Sequence, residues 1–222
     1  WSLRVLLEEG FNGVDNKIAA IAAYCEDYSN MHRDSLDRYA YLAAELAQQT
    51  SNERLKGIAV LTLAQNFMHW GWADSVLEIV NRELPKNTVT DDEKRDIYFR
   101  LARLKAVAYG SGGKMQESLE VLYELFPVAE KYNDTTTCIL SSMSIGFIAA
   151  ARKEADEAIK WNNRASQFIT PAYQKHLGTW YFARALIMNV KGNTDSVLYY
   201  LQKSVIGCRL LETGDRLTSA YR

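Results

Sequence analysis

The part of this sequence closest to a cofactor-binding motif is the glycine-rich run at residues 110–115, Gly-Ser-Gly-Gly-Lys-Met. A phosphate-binding loop would need a glycine in place of Ala108 and a serine or threonine in place of Met115. It would also follow a strand, whereas the residues before this run have a helical pattern. We therefore interpret the run as a turn between two paired helices.

Other residue types that carry out catalysis or bind metals are scattered along the chain. The three histidines and three cysteines are His32, His69, His176, Cys25, Cys138 and Cys208. None fits an HExxH or CxxC spacing, and the cysteines read as free thiols used as small apolar residues. Adjacent carboxylates such as Asp91 and Asp92 fit helix-start charges better than an acid–base pair. The sequence predicts no catalytic residue, no metal site and no cofactor, and it favours a protein that is not an enzyme.

The composition limits the remaining classes of function. Of 222 residues, 48% are hydrophobic and only three are proline, which suits a large helical core. A net charge of −1 argues against a nucleic-acid-binding surface, which needs a concentrated basic field. No run of 18 apolar residues is present, so no membrane span is predicted. Because the chain starts at Trp1 and ends within an amphipathic pattern, we expect it to be part of a longer protein.

Turn-like residues recur at intervals of about 40 residues, which is typical of helical-repeat proteins. Each lies between two amphipathic runs, and they are Met31, Gly71, Gly113, Lys153 and Gly192. Similar residues follow three of these turns in the same phase, namely Asp34-Ser35-Leu36, Asp74-Ser75-Val76 and Asp195-Ser196-Val197. Because no segment alternates with a period of two, we predict five antiparallel helix pairs and no strand between residues 17 and 210.

The fourth unit shows the repeat pattern most clearly. It has Ile145, Gly146 and Ala149 on the first predicted helix and Ala158, Asn162 and Ala165 on the second. This arrangement resembles the tetratricopeptide-repeat (TPR) family, in which small residues lie where two antiparallel helices cross. We expect Gly146 and Ala158 to face each other closely. The usual TPR is shorter, at about 34 residues. The other units of this chain keep the spacing of the fourth unit, but their residue types match the TPR pattern less well.

Residues typical of helix N-termini precede several predicted helices. Thr50 with Glu53, and Thr90 with Glu93, fit the capping box. Asp134 is a further N-cap candidate.

Residues 24–28 and 34–40, together with residues 211–215, are similar to the sensory TPR region of membrane-anchored bacterial signalling regulators. This resemblance implies a long-helix TPR variant joined to a transmembrane helix and then to a kinase or DNA-binding output domain. It also implies a periplasmic location for the repeats. Without this resemblance, a cytoplasmic location is expected.

The predicted fold is all-α, a right-handed α–α superhelix of about five TPR-like helix pairs. Residues 1–16 form an N-terminal segment compatible with a helix, and residues 17–210 form the solenoid. Residues 211–222 begin a truncated sixth pair, in which Leu217, Ala220 and Tyr221 define a new apolar stripe.

In TPR proteins the first helix of each pair lines the concave face, so the resemblance implies candidate binding residues on those helices. They are Gln65, His69, Arg100, Arg103, Met143, Phe147, Phe182 and Asn189. We expect Arg100 and Arg103 to form a basic spot. Met143 and Phe147 would flank it, which would suit an acidic or mixed acidic and apolar peptide. Packing between neighbouring first helices is the alternative role, and Trp72, directly after a turn, is a further candidate contact.

Two functions remain open at this stage. The first is a protein- or peptide-binding scaffold, the sensory or interaction region of a larger bacterial signalling or regulatory protein, because solenoids present extended concave surfaces. The second is a structural element that self-associates through the open ends of the solenoid. The regular lysine and asparagine positions of TPR proteins that bind chaperone C-termini are missing, so that partner is not predicted.

Overall fold

The computed structural model describes residues 13–27 and 33–220, and every regular element within them is helical. This confirms the all-α prediction. Among the described residues there are ten α-helices: α1 (Val14–Asp27), α2 (Arg33–Leu46), α3 (Glu53–His69), α4 (Ala73–Glu83), α5 (Arg95–Ser111), α6 (Met115–Lys131), α7 (Thr135–Ala151), α8 (Ala155–Ser166), α9 (Leu177–Val190) and α10 (Thr194–Ala220). Two short 3₁₀ helices, Leu84–Lys86 and Pro171–His176, lie in the connections after α4 and α8.

Four of the five predicted turns lie where the sequence placed them, and each is built around a residue with positive φ. These residues are Gly71, Gly113, Lys153 and Gly192, with φ between 63° and 78°. In each turn the next amide donates to the carbonyl five residues earlier, as from Trp72 to Phe67 at 3.0 Å. This is the Schellman motif, which satisfies the last carbonyls of a helix. The fifth predicted turn, at Met31, lies outside the described residues.

The connection between α6 and α7 uses the same motif with an asparagine. Asn133 has a φ of 57°, and the Asp134 amide donates to the Ala129 carbonyl at 2.9 Å. The Asp134 carboxylate then accepts a hydrogen bond from the Thr137 amide at 2.7 Å. Asp134 is therefore the N-cap of α7, as predicted.

The two predicted capping boxes are wrong. Asn52, not Thr50, caps α3, because its side chain accepts a hydrogen bond from a first-turn amide at 3.1 Å. Thr50 instead accepts from the Asn52 amide at 3.0 Å and donates to Asp15 of α1. Thr90 lies in a turn well before α5, which begins only at Arg95. Thr50 therefore makes a tertiary contact and Thr90 lies in a local turn, and neither of them caps a helix.

The chain forms two compact units, residues 1–121 and 122–222, and the boundary between them falls within α6. In the N-terminal unit α1 packs against α2 and α3 against α4, while α3 also contacts both α1 and α5. In the C-terminal unit α7 packs against α8 and α9 against α10, while α9 also contacts α7 and α8. Each unit thus shows repeat-like packing of helix pairs, and the array predicted over residues 17–210 spans both units.

Two apolar clusters hold the N-terminal unit together. One joins α1, α2 and α3 through Ile18, Ile21, Ala43, Ala47 and Ala59. The other joins α3, α4 and α5 through Leu61, Ala64, Val76, Val80, Ile97 and Leu101. A Cβ added to Gly57 of α3 would lie 2.9 Å from Cδ1 of Ile97, so a larger residue there would require the Ile97 side chain of α5 to shift.

Close helix crossings also organise the C-terminal unit. A Cβ added to Gly146 would lie 3.4 Å from the carbonyl oxygen of Ala158, which confirms the predicted approach of α7 and α8. The crossing of α9 and α10 is tighter, because a Cβ on Gly207 would lie 3.1 Å from the backbone of Gly178. Ser204 Oγ donates to the Gly178 carbonyl at 2.8 Å in the same place. The sequence analysis did not predict this second crossing.

The last helix, α10, runs without a break for 27 residues. The boundary predicted after residue 210, and the new helix expected around Leu217, do not coincide with an end of this helix. The sixth helix pair stays a prediction.

Candidate binding site

A cavity of about 350 Å³ lies in the N-terminal unit, where α1, α2, α3 and α5 meet. Its lining mixes apolar and polar side chains, namely Cys25, Glu26, Leu36, Thr62, Gln65, Asn66, Met68, His69 and Leu104. The α3 residues recur at three- and four-residue intervals, so they share one face of that helix. Two of the residues predicted from the sequence, Gln65 and His69, are therefore brought together at this cavity.

One wall of the cavity is fixed by a buried polar contact between α2 and α3. Asp37 Oδ1 accepts a hydrogen bond from Asn66 Nδ2 at 2.8 Å and another from Trp70 Nε1 at 2.6 Å. Asn66 is buried, so its amide needs such a partner to offset the loss of water. The bonds hold α3 in a single rotation against α2, and that rotation directs Gln65 and His69 towards the cavity.

Opposite charges meet at the end of α1 beside the cavity. Glu26 lines the cavity and pairs with Arg100 of α5, with 3.3 Å between Oε2 and Nη2. The Arg100 guanidinium is therefore engaged by a carboxylate of its own unit, which partly neutralises the predicted basic spot. Arg103 lies one turn further along α5 and is half-buried. The cavity thus presents a mixed polar surface in place of a strongly basic one.

Cys25 contributes an apolar wall and not a nucleophile. Burial raises the pKa of its thiol to about 11. At neutral pH the sulfur is therefore protonated, and a protonated thiol behaves as a small hydrophobic group.

No protein-family model matches this chain, and no curated protein and no solved structure matches it significantly. The TPR resemblance and the function that it implies therefore stay predictions.

The residues predicted for the C-terminal unit separate into buried and exposed groups. Met143 is only 3% exposed and packs in a cluster with Ile139 and Ala165, so it cannot contact a ligand without rearrangement. Phe147 packs on the same cluster, and its ring centroid lies 6.4 Å from that of Phe182. Met143 and Phe147 thus both pack against other side chains of the C-terminal unit.

An exposed face remains on α9. Phe182 and Asn189 are exposed there, with the partly exposed Leu186 between them at helical spacing. The structure does not gather these residues around an enclosed cavity, so the cavity in the N-terminal unit is the better-defined site.

Trp72 follows the turn between α3 and α4 and is 49% exposed. Its ring stacks on Trp70 with a centroid separation of 5.9 Å and tilts against Phe67 at 5.3 Å. These ring contacts, together with the hydrogen bond that the Trp72 backbone amide donates to the Phe67 carbonyl, make Trp72 part of the turn. About half of the side chain nonetheless remains exposed, so a partner could contact it.

Two kinds of site were searched for in the part of the chain that the structure describes. No group of three or more His, Cys, Asp or Glu side chains there is arranged to hold a metal ion. No helix among those residues is long and apolar enough to cross a lipid bilayer. The glycine-rich run at residues 110–115 connects α5 to α6, so a helix and not a strand precedes it.

The sequence analysis missed part of the cavity lining. Glu26, Leu36 and Leu104 come from three helices other than α3, and no local pattern connects them. Glu26 and Arg100 are 74 positions apart, so their pairing has no signature in the sequence. Asn66 could have been noticed, because a polar residue on an otherwise apolar helix face is often buried with a partner.

Proposed function

We propose that this protein is a protein- or peptide-binding scaffold of the TPR type, and that it serves as the sensory or interaction region of a larger bacterial signalling or regulatory protein. The cavity of the N-terminal unit carries this proposal. The repeat-like packing of helix pairs supports it, because such packing leaves the first helices free to present side chains to a partner.

The size and lining of the cavity indicate the kind of ligand. A volume of about 350 Å³ is near the lower limit of small-molecule sites, and it suits one or two inserted side chains better than a large cofactor. Leu36, Met68 and Leu104 provide an apolar surface for such a side chain. Gln65 can donate to and accept from a peptide backbone, while Glu26 accepts hydrogen bonds. A peptide segment with an apolar anchor flanked by hydrogen-bonding backbone fits these features.

A selection from a random peptide library displayed on phage tests the proposal. We expect the wild-type protein to enrich peptides that share an apolar residue. Gln65→Trp fills the cavity and should weaken binding of the enriched peptides at least about tenfold, or roughly 1.4 kcal/mol. Gln48→Trp makes the same substitution at an exposed position outside the cavity and should leave binding unchanged.

Thermal melting of both variants shows whether the fold is kept. The proposal fails if the wild-type protein enriches no peptide family. It also fails if a folded Gln65→Trp variant binds the enriched peptides as tightly as wild type does.

A further inference from the structure

Four aromatic side chains form a cluster at the surface of the N-terminal unit, where the end of α3 and the turn after it meet α2. This aromatic cluster consists of Tyr41, Phe67, Trp70 and Trp72. The ring centroid of Phe67 lies 6.0 Å from that of Tyr41 and 5.3 Å from that of Trp72. Trp72 in turn stacks on Trp70 at 5.9 Å. Tyr41 and Trp72 are 51% and 49% exposed, so a partner can reach both of them.

A carboxylate without an ion-pair partner is bonded to this cluster. Asp37 Oδ1 accepts hydrogen bonds from Trp70 Nε1 and Asn66 Nδ2, which are both uncharged donors. No lysine or arginine among the residues that the structure describes forms an ion pair with Asp37. Asp37 is half-buried, and a charge that has lost part of its water is stabilised by a counter-ion. The aromatic cluster therefore lies beside a negative charge that is not neutralised.

Further carboxylates surround the two exposed rings. Asp37, Tyr41 and Glu45 are spaced by four residues, so they lie along one side of α2. Asp74 lies in the first turn of α4, directly after the turn that contains Trp72. Glu45 and Asp74 are exposed, and neither forms an ion pair with a described residue.

Basic side chains are scarce in the same part of the unit. Residues 39–53 and 57–81 contain no lysine or arginine. Arg38 is exposed on α2, and it is the one basic side chain that the structure describes on that helix. A surface with exposed aromatic rings, unpaired carboxylates and so few cations is complementary to a positively charged group.

The arrangement suits the side chain of arginine in particular. A planar guanidinium can lie on an aromatic ring while its N–H groups donate to a carboxylate beside that ring, whereas a lysine ammonium has no flat face. The rings are spread over two elements at the surface, and a small free ligand needs a site that encloses most of it. Exposed tryptophan and tyrosine are instead typical of contacts with another polypeptide.

We propose that the aromatic cluster binds an arginine side chain from a basic segment of a partner polypeptide. The guanidinium stacks on the exposed rings of Tyr41 and Trp72, and the charges of Asp37 and Glu45 attract it. The inference goes beyond the proposed function, because Tyr41 and Trp72 do not line the cavity and because the bound group is cationic and not apolar.

A phage-displayed library of peptides with an arginine fixed at the centre, selected on the full chain, tests the proposal. We expect it to yield peptides whose synthetic copies depend on that arginine for binding. Replacement of the arginine by glutamine should weaken binding at least about tenfold, and replacement by lysine at least about threefold.

Variants of the protein locate the site of binding. Tyr41→Ala and Trp72→Ala should each weaken binding of these peptides at least about tenfold, whereas Tyr41→Phe keeps the ring and should keep most of the affinity. Glu45→Gln should weaken binding about threefold at low salt and less at high salt. Tyr123→Ala is the matched control, because it removes a tyrosine that is 44% exposed in the other unit, and it should leave binding unchanged.

The cavity variant separates this proposal from the proposed function. Gln65→Trp fills the cavity and should leave the affinity for the arginine-dependent peptides unchanged. Thermal melting of each variant shows which of them remain folded. Failure of the arginine library leaves the binding of apolar peptides by the cavity standing, because that binding is selected and measured with a different library.

Three results overturn the proposal. One is a selection that yields no peptide whose binding depends on the central arginine, or one in which lysine serves equally well. Another is a folded Tyr41→Ala or Trp72→Ala variant that binds the arginine-dependent peptides as tightly as the wild-type protein does. The third is loss of their binding in a folded Gln65→Trp variant, which would assign them to the cavity.

Discussion

Asn162 shows how a single buried polar residue joins two helices of this protein. It lies on α8 and is fully buried. Its carbonyl oxygen accepts a hydrogen bond from Trp180 Nε1 at 2.7 Å, and its Oδ1 accepts one from Arg184 at 3.3 Å. These hydrogen bonds join α8 to α9. Asp37 has a similar role in the N-terminal unit, where it joins α2 to α3.

The two described thiols give a prediction at the same scale. Burial raises the pKa of Cys25 to about 11 and, together with the charges of Glu130 and Asp134, raises the pKa of Cys138 to about 11. Relative to the ordinary value of 9.0, the thiolate fraction at pH 8 is roughly a hundredfold lower in the folded protein. We expect iodoacetamide to alkylate both thiols at least tenfold more slowly in the folded protein than in urea, as followed by peptide mass spectrometry.

The same shifts set the pH dependence of stability. Because the folded state holds these protons more tightly, the thiols contribute stability that is fully present below about pH 9 and is lost as pH rises towards 11. A Cys25→Ala/Cys138→Ala variant should lose less stability than wild type between pH 8 and pH 11. Alkylation of Cys25 and Cys138 at equal rates in the folded and unfolded chains would contradict their raised pKa values.

At the scale of the element, the turns depend on single residues, whereas the helix crossings depend on residues from two helices. A Schellman turn needs one residue that tolerates positive φ, and glycine or asparagine at that place can be read directly from the sequence. Lys153 also adopts this conformation, and only the repeat period indicated it. The approach of Gly207 to Gly178 depends on two residues in different helices, so neither glycine by itself indicates the crossing.

The crossing of α7 and α8 gives the prediction for this scale. Gly146→Leu would force a large side chain against the Ala158 carbonyl oxygen and should destabilise the protein by about 1–3 kcal/mol. Gly146→Ala is the matched control, because its Cβ would meet that oxygen at 3.4 Å, near the limit of ordinary contact. Urea denaturation compares the two variants with wild type. Equal stability of Gly146→Leu and wild type would show that the close crossing is absent in solution.

At the scale of the whole molecule, the chain forms two compact units. The peptide cavity lies within residues 1–121, and all of its lining residues come from that unit. We therefore expect the peptide affinity to be independent of exposed substitutions in residues 122–222.

A substitution at an exposed position of the C-terminal unit tests this independence. Asp195→Arg should keep the peptide affinity of the wild-type protein. A change of more than about fivefold in that affinity would reveal coupling between the two units.

The sequence by itself determined the helical class, the position of four turns and the close crossing of Gly146 with Ala158. These features depend on local patterns, in which glycine conformation, helical periodicity and small side chains act within one helix pair. The resemblance to TPR proteins implied Gln65 and His69 as candidate binding residues, and their four-residue spacing places them on one helix face.

Only the tertiary structure decided how these residues are used. It paired Arg100 with Glu26, buried Met143, and completed the cavity with side chains from α1, α2 and α5. It also showed which side of α10 packs on α9 and therefore which apolar side chains remain exposed. These outcomes depend on contacts between residues far apart in the chain, for which helical periodicity carries no information.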